Sequence, residues 1–263
     1  MTDPSPTPWP ALERGEGAPV VFLHGYPLSH AMWQPQLEAL SRDHHVVLLD
    51  LPGYGLAAEW PVPNTLAGFS RHLYGMLASR FAGPLALVGH SFGGYVALQL
   101  YHDAPELFSA LILTNTRSEA DTPEARAQRL ATAGQLEDPT HHLDVEAITR
   151  SLVAPATWAR RGPVVETVRS MVRETRSSTV IASLHAIADR PDLTPVLSTV
   201  HVPTLVLWGA EDQLIPPARS QSMVPRIPNG RGVSIPGAGH LPSLEAPESF
   251  DRTLNEFLAR PKR

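Results

Sequence analysis

Leu85-Ala86-Leu87-Val88-Gly89-His90-Ser91-Phe92-Gly93-Gly94-Tyr95-Val96-Ala97-Leu98 passes from an aliphatic run, through a Gly-x-Ser-x-Gly pentapeptide, into a helix-like run. The pattern predicts a strand, a sharp turn and a helix, the setting of a nucleophile elbow. Such a turn holds its serine in a strained backbone conformation at the end of a sheet. Small residues at 89, 93 and 94 let strand and helix pass close to one another there. Ser91 is therefore the candidate nucleophile. A serine hydroxyl is a weak nucleophile at neutral pH, so it needs a base within hydrogen-bond reach and a group to orient that base.

Two downstream segments supply such groups, each after a strand-like run. Pro203-Thr204-Leu205-Val206-Leu207-Trp208-Gly209 reads as a buried strand and is followed by Ala210-Glu211-Asp212. Val233-Ser234-Ile235-Pro236-Gly237-Ala238-Gly239-His240 is a short strand, a Gly-rich turn and a histidine. Ser91, an acid and His240 then follow in the chain order Ser, acid, His. Glu211 and Asp212 are both candidates for the acid. Glu119 and Asp121 lie past a strand at 109–115, whose end reads Thr114-Asn115-Thr116 without a carboxylate.

Composition narrows the partners. The chain has 263 residues, 43% of them hydrophobic, enough for one large core. A net charge of −5 argues against nucleic acid, whose phosphates need a basic face. The absence of cysteine excludes disulfides, thiolate catalysis and Cys-ligated zinc. The pairs His44-His45 and His141-His142 have no ligand partners at a recognisable spacing, so no metal and no cofactor is expected. The first residues carry no basic-then-apolar pattern and no run of about 18 apolar residues occurs, so a cytoplasmic protein without a membrane span is expected.

Along the chain, strand-like and helix-like runs alternate, the pattern of a mainly parallel sheet with helices on both faces. Strands are expected near 19–24, 45–50, 85–89, 109–115, 203–209 and 230–236. Helices are expected near 30–41, 65–81, 93–104, 217–225 and 247–259. The second helix has a cap candidate at Asn64 or Thr65 and apolar residues at Leu66, Phe69, Leu73 and Leu77. Residues 1–10 read as a Pro-rich tail. Residues 117–200 break the alternation and read as several helices.

These pieces together resemble the α/β-hydrolase fold superfamily, in its serine-nucleophile carboxylesterase and enol-lactonase-like branch. The resemblance runs through His24-Gly25-Tyr26-Pro27, Asp50-Leu51-Pro52-Gly53-Tyr54-Gly55, the elbow, Trp208-Gly209-Ala210-Glu211-Asp212, and Gly237-Ala238-Gly239-His240-Leu241 with Glu245-Ala246-Pro247. It implies a core of residues 11–116 and 201–263, with 117–200 as a helical cap over the active site. It aligns Asp212 rather than Glu211 as the acid, with His240 as general base. It implies an oxyanion hole from the backbone N–H of Phe92 and that of Tyr26. Gly25, His90, Leu214 and Leu241 are expected to line the pocket, and His24, Asp50 and Glu245 to fix loops.

Relatives such as haloalkane dehalogenases and epoxide hydrolases carry aspartate at the elbow, so Ser91 points instead to acyl transfer to water. The expected substrate is a small-molecule ester or lactone. A non-hydrolytic ligand sensor, a cofactor-free perhydrolase and a C–C hydrolase are alternatives on the same triad. Residues 117–200 hold ten arginines and no lysine. One of them could sit over a substrate carboxylate, but eleven interspersed acids favour a balanced array on solvated helix faces.

Overall fold

A computed structural model describes residues 9–259. Seven strands form one sheet in the order β1-β3-β2-β4-β5-β6-β7. They are β1 (Ala11–Arg14), β2 (Pro19–Leu23), β3 (His45–Leu49), β4 (Leu85–His90), β5 (Phe108–Thr114), β6 (Thr204–Gly209) and β7 (Gly230–Ile235). All neighbours are parallel except β1, which pairs antiparallel with β3 at the edge. The six parallel strands are those expected from the sequence. β1 was not expected, because Ala-Leu-Glu-Arg has no β-branched residue and no alternation. Part of the expected tail also belongs to the fold. The Trp9 ring packs edge-on to Phe81, and the Pro10 carbonyl accepts from the Asp50 N–H. The rest of that tail, residues 1–8, lies outside the described residues.

The central strands are aliphatic at nearly every position because both sheet faces are covered. Successive side chains alternate between two cores. Val21 and Leu23 face α2 (Leu66–Arg80) and α3 (Phe92–Asp103), packing with Phe69, Leu73, Phe92 and Val96. Val20 and Phe22 face the opposite layer, with Trp33, Leu40, Phe250 and Leu254. Those last residues come from α1 (Gln34–Leu40), the short turn before it, and α11 (Pro247–Leu258). α2 starts where the Thr65 hydroxyl accepts from the Gly68 N–H, and it buries the four apolar residues its spacing predicts.

Between β5 and β6 run five helices: α4 (Pro123–Leu136), α5 (Val145–Leu152), α6 (Pro155–Arg160), α7 (Pro163–Glu174) and α8 (Ser177–Ala188). α4 and α8 meet through Ala133, Leu136, Val180 and Leu184. After β6 come α9 (Pro217–Met223) and, following β7, the single-turn α10 (Pro242–Glu245). Among the described residues no helix is long and apolar enough to cross a membrane.

The strand order reverses around β2: the chain leaves β2 for β3 on one side and returns to β4 on the other. In such sheets a crevice opens beyond the carboxyl ends of the strands that flank the reversal. The loops after β2, β4, β5, β6 and β7 all emerge at that edge. They carry Tyr26, Ser91, Asn115, Asp212 and His240.

Candidate active site

Ser91 is the single residue between β4 and α3, and its backbone sits at φ 50°, ψ −112°. A non-glycine residue there is strained by about 1–3 kcal/mol, and it persists only because its surroundings hold it. The Ser91 N–H donates to the Thr114 carbonyl, and the Ser91 carbonyl accepts from the Thr116 hydroxyl and the Gly94 N–H. The small residues around it are required by contact. A Cβ on Gly93 would stand 2.6 Å from the His24 carbonyl oxygen and 2.7 Å from that of Leu23. Gly89 and Gly94 are hemmed in the same way, by the first turn of α3 and by Thr116.

Asp212 and His240 meet because β6 and β7 end side by side. The Glu211 N–H donates to the Ala238 carbonyl at 2.9 Å. Gly209 lies so close to the Gly-rich turn that a Cβ on it would stand 1.9 Å from the Gly239 carbonyl oxygen. His240 Nδ1 lies 2.7 Å from Asp212 Oδ2, with both side chains at 0% exposure. Asp212 Oδ2 also accepts from Asn115 Nδ2 at 2.8 Å, while Oδ1 accepts the N–H groups of Leu214 and Ile215. Burial alone would raise the Asp212 pKa. The His240 charge and these hydrogen bonds outweigh it and hold the carboxyl below its ordinary value. Asp212 is therefore ionised, and His240 presents Nδ1–H to it. His240 Nε2 is buried and has no hydrogen-bond partner, Ser91 Oγ included. Glu211, the rival acid, is exposed.

Asn115 is a residue the sequence reading passed over, having registered only that its strand end lacks a carboxylate. Its φ of 46° is one that asparagine tolerates better than most side chains. Its Nδ2 ties Asp212 to the Gly239 carbonyl, 3.2 Å away, so it links the acid loop to the histidine loop. Glu245 acts on that loop from the other side, as expected of a loop-fixing residue. Its carboxyl accepts from the N–H groups of Gly239 and Leu241, which flank His240, and from Ala154 at the start of α6. Asp50 holds the N–H groups of His30 and Leu56 and the His30 ring.

His24 is buried, and burial lowers its pKa more than Asp50 raises it. Its Nε2 accepts from the Leu51 N–H at 3.1 Å, so Nδ1 carries the proton and donates to the Gly25 carbonyl at 2.9 Å. The neutral ring thus braces the loop that carries Tyr26. Among the described residues, no acceptor is paired with the backbone N–H of Tyr26 or of Phe92.

A cavity of about 210 Å³ opens over Ser91. Tyr26, Pro27, Phe92 and Tyr95 line one side of it, and Leu214 and Ile215 line another. Ile148, Ser151 and Leu152 of α5, Ile187 of α8, Arg129 of α4, and Arg117 complete it. Of the four expected pocket residues, Leu214 lines this cavity. Gly25, His90 and Leu241 do not, and the expectation is corrected for each. Gly25 is buried within the loop, packed against His90 and Ser91. His90 turns into the sheet: its Nδ1 bonds the Thr114 hydroxyl and its ring packs against Trp33 and His240. That burial, first of all, pushes its pKa well below the ordinary histidine value. Leu241 is wholly buried in the core against α11. The favoured reading of the arginines of 117–200 as an array on solvated faces does not hold at Arg190, which is buried, or at Arg117 and Arg129, which line the cavity.

Comparison with known proteins agrees with this fold. The family model of the alpha/beta hydrolase fold matches residues 18–247. A thermophilic esterase from Thermogutta terrifontis, solved with malate bound, superposes with a TM-score of 0.89 at 33% identity, covering 94% of this chain and 92% of that one. A pimeloyl-[acyl-carrier protein] methyl ester esterase from Edwardsiella ictaluri is 30% identical over 90% of this chain and 92% of its own length. An (E)-2-((N-methylformamido)methylene)succinate hydrolase from Acinetobacter baylyi is 26% identical over 94% of this chain and 92% of its own.

Proposed function

The chain belongs to the α/β-hydrolase fold family, and from that premise we propose that it hydrolyses small carboxylic esters or lactones through an acyl-enzyme on Ser91. One observation carries the reading. A buried histidine is held through Nδ1 by an ionised aspartate, its Nε2 is left without a partner, and the ring beside it is that of His90, the residue preceding the strained Ser91. The two named esterases support an ester bond, whereas the Acinetobacter relative is named for a different substrate.

In this mechanism Ser91 Oγ attacks the carbonyl carbon while His240 Nε2 takes its proton. Asp212 stays ionised and stabilises the imidazolium. The carbonyl oxygen becomes an oxyanion facing the N–H groups of Tyr26 and Phe92, each worth about 3 kcal/mol in rate. The bond to the leaving oxygen then breaks, and the imidazolium donates its proton to that oxygen. A water deprotonated by His240 attacks the acyl carbon, the bond to Ser91 Oγ breaks, and the imidazolium returns its proton to Oγ as the acid leaves. The helices of 117–200 serve as a cap: α4, α5 and α8 supply the wall of the cavity facing the elbow.

Short p-nitrophenyl esters and fluorophosphonate labelling test the reading. Ser91→Ala or His240→Ala lowers turnover on the order of 10⁶-fold and Asp212→Asn about 10⁴-fold. Fluorophosphonate labelling at Ser91 without turnover of any ester favours a ligand sensor. No labelling and no turnover removes the hydrolase assignment.

A further inference from the structure

Three guanidiniums converge on one carboxylate beside the cavity. Asp121, with its side chain at 0% exposure, bonds Arg117, Arg129 (Nε, 2.6 Å) and Arg190 (Nη2, 3.0 Å). Arg190 belongs to the frame and does not line the cavity, although its Nε, like that of Arg117, is buried without an acceptor. Its side chain is 1% exposed, it donates to the carbonyls of Ile187 and Glu119, and it lies over the Tyr95 ring at 4.3 Å. Arg117 and Arg129 are different. Both line the cavity over Ser91, with side chains 19% and 30% exposed. The Nε of Arg117 is buried without an acceptor. Glu119, two residues before Asp121, pairs through Oε1 with Arg219 at 3.5 Å, and its Oε2 is buried without a partner. One carboxylate therefore serves three guanidiniums, and the cluster is net positive on the side where Arg117 and Arg129 line the cavity.

A carboxylate buried for stability needs one well-placed partner. Crowding three cations around it is unfavourable unless something else supplies negative charge. Planar guanidiniums are also the groups that bind a carboxylate through two parallel hydrogen bonds. We propose that Arg117 and Arg129 bind a free carboxylate on the substrate, so that the preferred substrate is an ester carrying a second, ionised carboxyl group. Asp121 and Arg190 are positioning residues that hold the two arginines toward the cavity. This assignment rests on the reading of the Ser91 cavity as the ester site.

The test compares monomethyl glutarate, which carries the charge, with dimethyl glutarate, which does not. In the wild type kcat/KM favours the monoester by at least about 10-fold. Arg117→Met and Arg129→Met each lower the monoester-to-diester ratio on the order of 10- to 100-fold, the range of one charge-assisted contact, chiefly through the monoester KM. Arg129→Lys, which keeps the charge but not the fork, recovers part of the ratio and serves if the methionine variant is unstable. A diester preference in the wild type, or ratios that the variants leave unchanged, overturns the proposal. Calorimetric titration with glutarate separates it from the catalytic reading. Glutarate binding that Arg129→Met weakens supports the carboxylate site even if neither ester is turned over. Absence of glutarate binding in the folded wild type overturns it.

Discussion

Gly93→Ala is the most direct test of how the elbow is held. The added Cβ would stand 2.6 Å and 2.7 Å from two backbone carbonyl oxygens, those of His24 and Leu23. Ordinary Cβ contacts begin near 3.4 Å, so β2 and the start of α3 must separate by roughly 0.8 Å. Neither side can yield cheaply. β2 is a central strand paired on both edges, and α3 is buried along most of its length. Overpacking of this kind costs about 1–3 kcal/mol. For a domain this size that is a fall of roughly 2–12 °C in melting temperature. The same displacement shifts the Phe92 N–H relative to the loop of Tyr26, and a misplacement of about 1 Å near the chemistry costs on the order of 10²-fold in kcat/KM. Thermal melting and p-nitrophenyl acetate hydrolysis measure both effects. Gly134→Ala is the control: it lies inside α4 with nothing within 4 Å of the new Cβ, so it gains about 0.5–1 kcal/mol. A Gly93→Ala protein that melts and turns over like wild type would refute this account of the elbow.

Two further outcomes are expected. Asn115→Ala removes the charge-assisted bond to Asp212 and the bond to the Gly239 carbonyl, costing about 1.5–3 kcal/mol of stability; kcat falls on the order of 10- to 100-fold with a smaller change in KM, and an unchanged kcat in a folded variant contradicts a positioning role. Burial works to raise the Asp121 pKa, but the Arg190 and Arg129 contacts prevail and hold it below the ordinary value. The stability this supplies is complete above the ordinary aspartate pKa of about 3.9 and is lost as the pH falls through the lower folded value. Urea midpoints of wild type and Asp121→Asn should then differ most near pH 7 and converge below about pH 4; a pH-independent gap counts against the linkage.

The positions of the candidate site residues were legible because their signals are local. A parallel strand buried on both faces must be aliphatic throughout, so β2 to β6 announce themselves. A residue following such a strand must lie at the carboxyl edge of the sheet, which places Ser91, Asp212 and His240 together without any knowledge of side-chain contacts. The glycines at 89, 93 and 94 are equally local, since strand and helix can cross at an elbow only where no side chain intervenes.

What depends on distant packing was not legible. β1 has no strand pattern of its own and is extended because β3 offers it an open edge. His90 neighbours Ser91 in the chain, yet its ring is drawn into the sheet by Thr114 and Trp33. Leu241 neighbours His240 and is drawn into the core in the same way. Arg117 and Arg129 belong to a stretch whose arginines and acids nearly balance in number. Counting charges in that stretch predicts solvated faces. Only the seating of α4 against α8, with Arg190 pinned over Tyr95, decides which guanidiniums turn toward the cavity. The chain thus encodes the candidate reacting groups one loop at a time, because each follows its own strand. The surroundings a substrate meets arise from contacts between segments far apart in sequence, and no single segment carries them.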